Sequence, residues 1–157
     1  MLTSSNHNLE GYWELPDETA RVQEGGTFHT GDGGYLADDG YLVISDRKKD
    51  VIISGGENVS SIEVEDALMS NPAVKEVAVI GIPDEKWGEL ITALVVVAEG
   101  EQVTEEELIA HCRGRIAGYK IPKRVEFRAE LLRTATGKLQ KYKLREPFWA
   151  GRDRRVS

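Results

Sequence analysis

Three short polar stretches hold the residue types from which chemistry could be built. They are Thr30-Gly31-Asp32-Gly33-Gly34, Gly55-Gly56-Glu57-Asn58 and Thr134-Ala135-Thr136-Gly137-Lys138. In the first, glycines allow close backbone approach, and the Asp32 carboxylate could accept both hydroxyls of a ribose; the same pattern also suits an Asx turn. The second is either a tight turn or a set of backbone amides cradling a phosphate. The third presents one lysine from a loop of small residues. That lysine is either solvated or a single charge on a flexible stem, able to reach an anionic centre. Each stretch taken alone leaves both readings open.

The elements around them set their positions. Between the first two stretches lies Asp46-Arg47-Lys48-Lys49-Asp50, five consecutive charged residues too polar to be buried unpaired, which read as a solvated joint. Val51-Ile52-Ile53 follows as a short β-branched strand, and Gly55-Gly56 permits positive φ. Ser60-Ser61-Ile62-Glu63 has the form of a capping box at a helix start. The joint divides the chain into two expected bodies, residues 1–46 and 47–157. Upstream, Pro16-Asp17-Glu18-Thr19 starts a helix that Gly25-Gly26 ends. Tyr35-Leu36 and Tyr41-Leu42-Val43-Ile44 flank Ala37-Asp38-Asp39-Gly40 as a β-hairpin. Residues 1–45 supply no obvious core, so they are expected to belong to a larger body.

Downstream the pattern is that of a compact α+β unit. A helix from about Ile62 places Val64, Ala67 and Leu68 on one face and stops at Asn71-Pro72. Val74 to Ile82 alternates apolar with polar, and Ile91 to Ala98 is a near-continuous β-branched run that predicts a central strand buried on both faces. Thr104 caps a helix with an acidic first turn running to about Ile116; Val125-Glu126-Phe127 is a short strand, and Leu139 to Arg145 a final helical turn or two.

Composition narrows the function classes. The formal charge of −7 argues against nucleic acid as a partner, because phosphate binding needs a basic surface. A single cysteine, Cys112, excludes an internal disulfide framework and fits the cytoplasm; its place on a helix predicts a buried thiol. No run of roughly 18 apolar residues is present, so no membrane span or signal peptide is expected.

Taken in order, these motifs carry a resemblance. From Gly11 onward the chain resembles the C-terminal part of the adenylate-forming (AMP-binding) enzymes: acyl-CoA synthetases, luciferases and peptide-synthetase adenylation domains. Gly11-Tyr12-Trp13 with Pro16, then Phe28-His29-Thr30-Gly31-Asp32, looks like the end of their large N-terminal domain, and Asp46 to Asp50 looks like the hinge. Gly55-Gly56-Glu57-Asn58 with Glu63 and Glu65 is most similar to the acyl-CoA synthetase (fatty-acid–CoA ligase) branch, and disfavours a luciferase-like or peptide-synthetase member. Pro83-Asp84 with Trp87-Gly88-Glu89, Tyr119-Lys120 with Pro122, and Thr136-Gly137-Lys138 complete the pattern.

The resemblance implies a fold and a set of roles. The fold is a small mixed sheet with helices packed on it, preceded by a β-hairpin left from the large N-terminal domain. Asp32 and Arg47 would bind ATP and the adenylate, Lys49 would be the hinge, and Lys138 would be the catalytic lysine of adenylation. Gly55, Gly56 and Glu57 would form the loop lining the coenzyme A thiol tunnel. The reaction implied is an acid–thiol ligation consuming ATP, a carboxylic or fatty acid and coenzyme A, with Mg2+ held mainly by the large domain. No Gly/Ser/Thr-rich phosphate loop with a lysine precedes this sequence, and no acyl pocket is present, so the chain alone is expected to be inactive without the missing N-terminal domain. Departures from the family are Thr27, Gly33 and Leu132, which affect local packing. The alternative from a different class is a stand-alone, non-catalytic interaction module, self-associating through the exposed hairpin.

Overall fold

The computed structural model describes residues 1–152, so the last five residues of the 47–157 body lie outside the described residues. The chain divides into two compact units, with the boundary between Lys48 and Lys49.

In the first unit, β1 (Leu2–Thr3) and β2 (Phe28–His29) pair antiparallel around α1 (Pro16–Val22). Pro16 opens α1, and Asp17 and Glu18 complement the dipole in its first turn. The helix stops at Val22, and Gly25 and Gly26, at φ 69 and 74, shape the 3-10 turn that follows instead of the helix end itself. β3 (Asp32–Leu36) and β4 (Leu42–Arg47) form the expected hairpin, with Leu36 opposite Leu42 and a bulge between Gly33 and Gly34.

In the second unit, β5 (Ile52–Ser54) and β6 (Glu57–Val59) form a tight hairpin leading into α2 (Ser61–Met69). β7 (Val74–Asp84) and β8 (Gly88–Val97) form a long antiparallel pair. After α3 (Glu105–Cys112), β9 (Arg124–Phe127) adds parallel to β8, and α4 (Lys141–Trp149) closes the unit. β5 joins β8 at Ser54 opposite Gly88, so the five strands make one mixed sheet, and the architecture is α+β.

The core lies on both faces of this sheet. On one, Val64 and Leu68 of α2 and Leu108 and Cys112 of α3 pack against Val77, Val79, Ile91, Ala93 and Val95. On the other, Ala78, Ile80, Leu94 and Val96 meet Leu131 and, from α4, Leu144 and Phe148. Each fully buried Leu or Ile contributes about 1.5–3 kcal/mol relative to exposure. β8 is therefore the doubly buried strand its β-branched run predicts.

Four further expectations are corrected. β7 does not alternate apolar with polar over its length: Val77 to Ile82 is buried without a break, because both faces are covered. α3 ends at Cys112, before Ile116, because Arg113 turns extended and Gly114 takes φ +78. α4 is shifted to Lys141–Trp149 and runs through Pro147, because Phe148 packs on the core and the Trp149 indole donates to the Gly81 carbonyl at 2.9 Å. The charged joint is also not wholly solvated. Asp46 is buried, its Oδ1 accepting from the Arg47 amide at 2.7 Å, and Asp50 pairs with Arg145 of α4 at 3.3 Å.

Candidate functional site

Hairpin register places Asp32 opposite Arg47. The Arg47 Nε lies 3.6 Å from Asp32 Oδ1, an ion pair too long for a hydrogen bond. The Asp32 backbone is held by its amide donating to Thr30 Oγ1 at 3.1 Å, while the Lys48 amide donates to the Gly31 carbonyl at 2.8 Å. Two residues 15 positions apart in sequence thus present a hydroxyl acceptor and a guanidinium side by side.

In the second unit, Gly55 and Gly56 adopt φ 63 and 86. Left-handed angles at both central residues define the two-residue turn that suits the twist of a hairpin. Ser54 stands opposite Glu57, so Glu57 begins β6 rather than extending the loop. The turn is braced by its surroundings. The Gly55 amide donates to the Trp87 carbonyl at 2.8 Å, and a Cβ on Gly55 would sit 3.0 Å from the Trp87 ring. The buried Glu89 carboxylate accepts from the Ile53 amide at 3.0 Å, supplying an acceptor beside the single register pair that joins β5 to β8. Gly81 makes room for it, since a Cβ there would collide with that carboxylate.

The Lys138 turn is equally ordered by hydrogen bonds. The Thr134 amide donates to the Lys138 carbonyl at 2.8 Å, the Gly137 amide to the Thr134 carbonyl at 2.9 Å, and the Lys138 amide to Thr134 Oγ1 at 3.0 Å. Arg133 spans the base, donating to Glu76 at 2.7 Å and to the Gly137 carbonyl at 2.7 Å. Lys138 itself is exposed. Beyond the turn, Lys141 meets Ser61 Oγ and Glu65 Oε1, each at 2.7 Å, and the same Glu65 oxygen accepts from the Val79 amide at 2.7 Å.

These two turns occupy opposite ends of one compact unit. The Lys138 turn is anchored to Glu76 near the start of β7, and the glycine hairpin lies beside Trp87 and Gly88, just past the end of β7. Glu76 and Asp84 are eight residues apart along the strand, about 26 Å at ~3.3 Å per residue. Lys49 lies in the turn between the two units, its side chain exposed and its carbonyl accepting from Arg145 Nη1 at 3.2 Å.

Arg145 and Lys141 were missed in the sequence. Their signal was there: positions 141, 144, 145 and 148 share a helix face, and two cations on an otherwise apolar stripe call for carboxylate partners. Elsewhere, a hydrogen-bonded Glu63 raises the Lys120 pKa above the ordinary lysine value, the two groups lying 2.6 Å apart. The Glu63 amide donates to Ser60 Oγ at 3.4 Å, which is one half of the expected capping box; the Glu63 carboxylate pairs with Lys120 instead. Burial lowers the His111 pKa, with Arg115 adding to the effect, and burial raises that of the Cys112 thiol. Among the described residues no three His, Cys, Asp or Glu side chains cluster as a metal cage requires.

Comparison with known proteins supplies the family. Residues 63–138 match the AMP-binding enzyme C-terminal domain. The chain is 49% identical over 142 residues to the long-chain-fatty-acid–CoA ligase FadD13 of Mycobacterium tuberculosis, covering 90% of this chain and 28% of that relative. It is 52% identical over 140 residues to 4-hydroxybutyrate–CoA ligase 2 of Metallosphaera sedula, covering 88% of this chain and 25% of that one. In three dimensions it is similar to ATP-bound MatB from Rhodopseudomonas palustris, with a TM-score of 0.80 and 39% identity over 88% of this chain and 28% of that one. The chain thus spans about a quarter of the length of the curated relatives it matches. It belongs to the adenylate-forming enzymes and corresponds to the C-terminal part of their acyl-CoA ligases.

Proposed function

We propose that the chain is the mobile C-terminal part of an ATP-dependent acyl-CoA synthetase of fatty-acid metabolism. In this reading the residues up to the Lys48–Lys49 boundary are the tail of the large adenylation domain, and those beyond it form the moving domain. A carboxylate attacks the α-phosphorus of ATP and pyrophosphate leaves; the coenzyme A sulfur then attacks the acyl carbon, AMP leaves and the thiol proton passes to solvent. Lys138 stabilises the charge developing between carboxylate and phosphate. Asp32 and Arg47 hold the ribose and phosphate of the nucleotide, and Gly55, Gly56 and Glu57 wall the channel for the pantetheine thiol. The buried, free Cys112 thiol suits a cytoplasmic setting.

The observation that carries this reading is the placement of the Lys138 turn and the glycine hairpin at opposite ends of one unit. Two sets of groups so far apart cannot serve one acyl carbon together, but rotation about Lys49 would exchange them without refolding either. Relatives named for long-chain fatty acids and for 4-hydroxybutyrate match this chain about equally, which supports an acyl pocket in the large domain.

The chain alone forms no acyl-adenylate. Adding a large domain from such an enzyme in trans restores pyrophosphate release, and Lys138→Ala lowers that step about 100-fold or more while sparing transfer from a supplied acyl-adenylate. Pyrophosphate release by the chain alone, or equal losses in both steps, refutes the assignment.

One observation favours a second reading, a self-associating module. Tyr35, Leu36, Tyr41, Leu42 and Ile44 are all exposed on the β3–β4 hairpin. Sedimentation that shifts with concentration, and is abolished by Leu36→Ser with Ile44→Ser, supports it; a monomer at every concentration rejects it.

A further inference from the structure

The backbone on either side of the unit boundary is tied down within its own unit. On the upstream side the Lys48 amide donates to the Gly31 carbonyl at 2.8 Å, continuing the β3–β4 hairpin by one residue. On the downstream side the Lys49 carbonyl accepts from Arg145 Nη1 at 3.2 Å, and the Asp50 carboxylate accepts from the same nitrogen at 3.3 Å. Arg145 is 8% exposed, and it projects from α4, whose neighbouring residues Leu144 and Phe148 are packed in the core. A guanidinium so placed is fixed by its helix as well as by its partners, and two acceptors on one nitrogen hold the chain direction of residues 49 and 50.

We propose that Arg145 is the positioning residue of the joint. By clamping the Lys49 carbonyl and the Asp50 carboxylate to α4, it confines bending between the units to the backbone torsions of Lys48 and Lys49. The proposal deepens the reading given above, because a domain that alternates between two working poses needs a short, well-defined pivot. A long flexible joint would multiply poses that place neither turn correctly. The helix that anchors the pivot also carries Lys141, which secures the chain just beyond the Lys138 turn to Ser61 and Glu65. Pivot and adenylation lysine are therefore referenced to one rigid helix.

Amide 15N relaxation on the 157-residue chain tests this directly. In the parent chain, order parameters fall below about 0.6 at Lys49 and recover to about 0.85 at Asp50 and Val51. In Arg145→Met the low values spread to Asp50 and Val51, while the amides of β8 keep theirs. Arg145→Lys, which retains a charged donor, restores part of the order at Asp50. Asp50→Asn, which keeps the carbonyl contact and leaves the core untouched, gives an intermediate loss at residue 50 and serves as the deciding variant should Arg145→Met fail to fold. Unchanged order at Asp50 and Val51 in Arg145→Met, or in Asp50→Asn where the first variant unfolds, overturns the proposal. So does loss of order throughout β8 in a folded Arg145→Met with no change in Asp50→Asn, since Arg145 would then be only a core residue. The trans-complementation assay reads the functional assignment separately: failure there with mobility confined as described removes the enzyme and keeps the pivot.

Discussion

In residues 1–48 the one buried residue is a carboxylate, Asp46; from Lys49 onward the chain buries apolar side chains on both faces of a five-stranded sheet. Both regions have regular secondary structure, yet only the second satisfies it internally. The first has a hairpin whose Tyr35, Leu36, Tyr41 and Ile44 point to solvent, with no second layer among its own residues to cover them. Strand pairing and a folded unit are thus separate achievements. Backbone hydrogen bonds and a turn glycine are enough for the hairpin, whereas independent stability needs a buried face.

The sharpest test of this contrast pairs one substitution from each region. Leu94→Ala, at a side chain buried on the doubly covered β8, should cost about 2–5 kcal/mol and lower the thermal midpoint. Leu36→Ala on the exposed hairpin should change it by less than about 0.5 kcal/mol. Equal shifts in calorimetry would break the comparison. Next in size, Lys141→Met strands the half-buried Glu65 carboxylate between α2 and α4 and should cost about 1–3 kcal/mol in chemical denaturation. Because the Val79 amide still donates to Glu65, the loss should fall short of that from a core truncation.

Smaller again is the glycine turn. Gly56→Ala forces a Cβ into φ 86 and should cost about 1–2 kcal/mol by raising left-handed strain, with no neighbouring atom in the way. Gly55→Ala should cost more, because the Trp87 ring stands where the methyl would go. Finding Gly56→Ala the worse of the two would show that the turn is not braced by Trp87. The smallest effect is one of pH. Burial lowers the His111 pKa, so the unfolded chain binds a proton there more readily than the folded one. Stability from this group is full above the ordinary histidine pKa, about 6.5, and declines as pH falls through and below it. A His111→Gln variant should show a flatter pH dependence between about pH 7 and 5; an identical slope would remove His111 from the account.

Much of the fold was legible because local rules agreed with tertiary demands. The β-branched run at Ile91 announced β8, Thr104 with Glu107 forms a complete capping box, and Asp38-Asp39-Gly40 closes the hairpin with Gly40 at φ 84. Where the reading failed, packing overrode local preference. Proline at 147 should end a helix, but burial of Phe148 and the Trp149 hydrogen bond extend α4 past it. Five adjacent charges should be solvated, but two of the carboxylates found partners, Asp46 at a neighbouring amide and Asp50 at an arginine 95 residues away.

What the sequence alone determined is the inventory and the local geometry: which stretches turn, which glycines must be left-handed, and that Lys138 sits in a small-residue loop. These follow from interactions within a few residues, which the chain order itself encodes. Long-range packing brought Asp32 opposite Arg47, set the Lys138 turn and the glycine hairpin at opposite ends of β7, and placed Arg145 against the Lys49 carbonyl and the Asp50 carboxylate. The physical reason is that such partners are chosen by the register of long strands and by helix packing on a shared core, where contacts between distant residues leave no mark on local pattern.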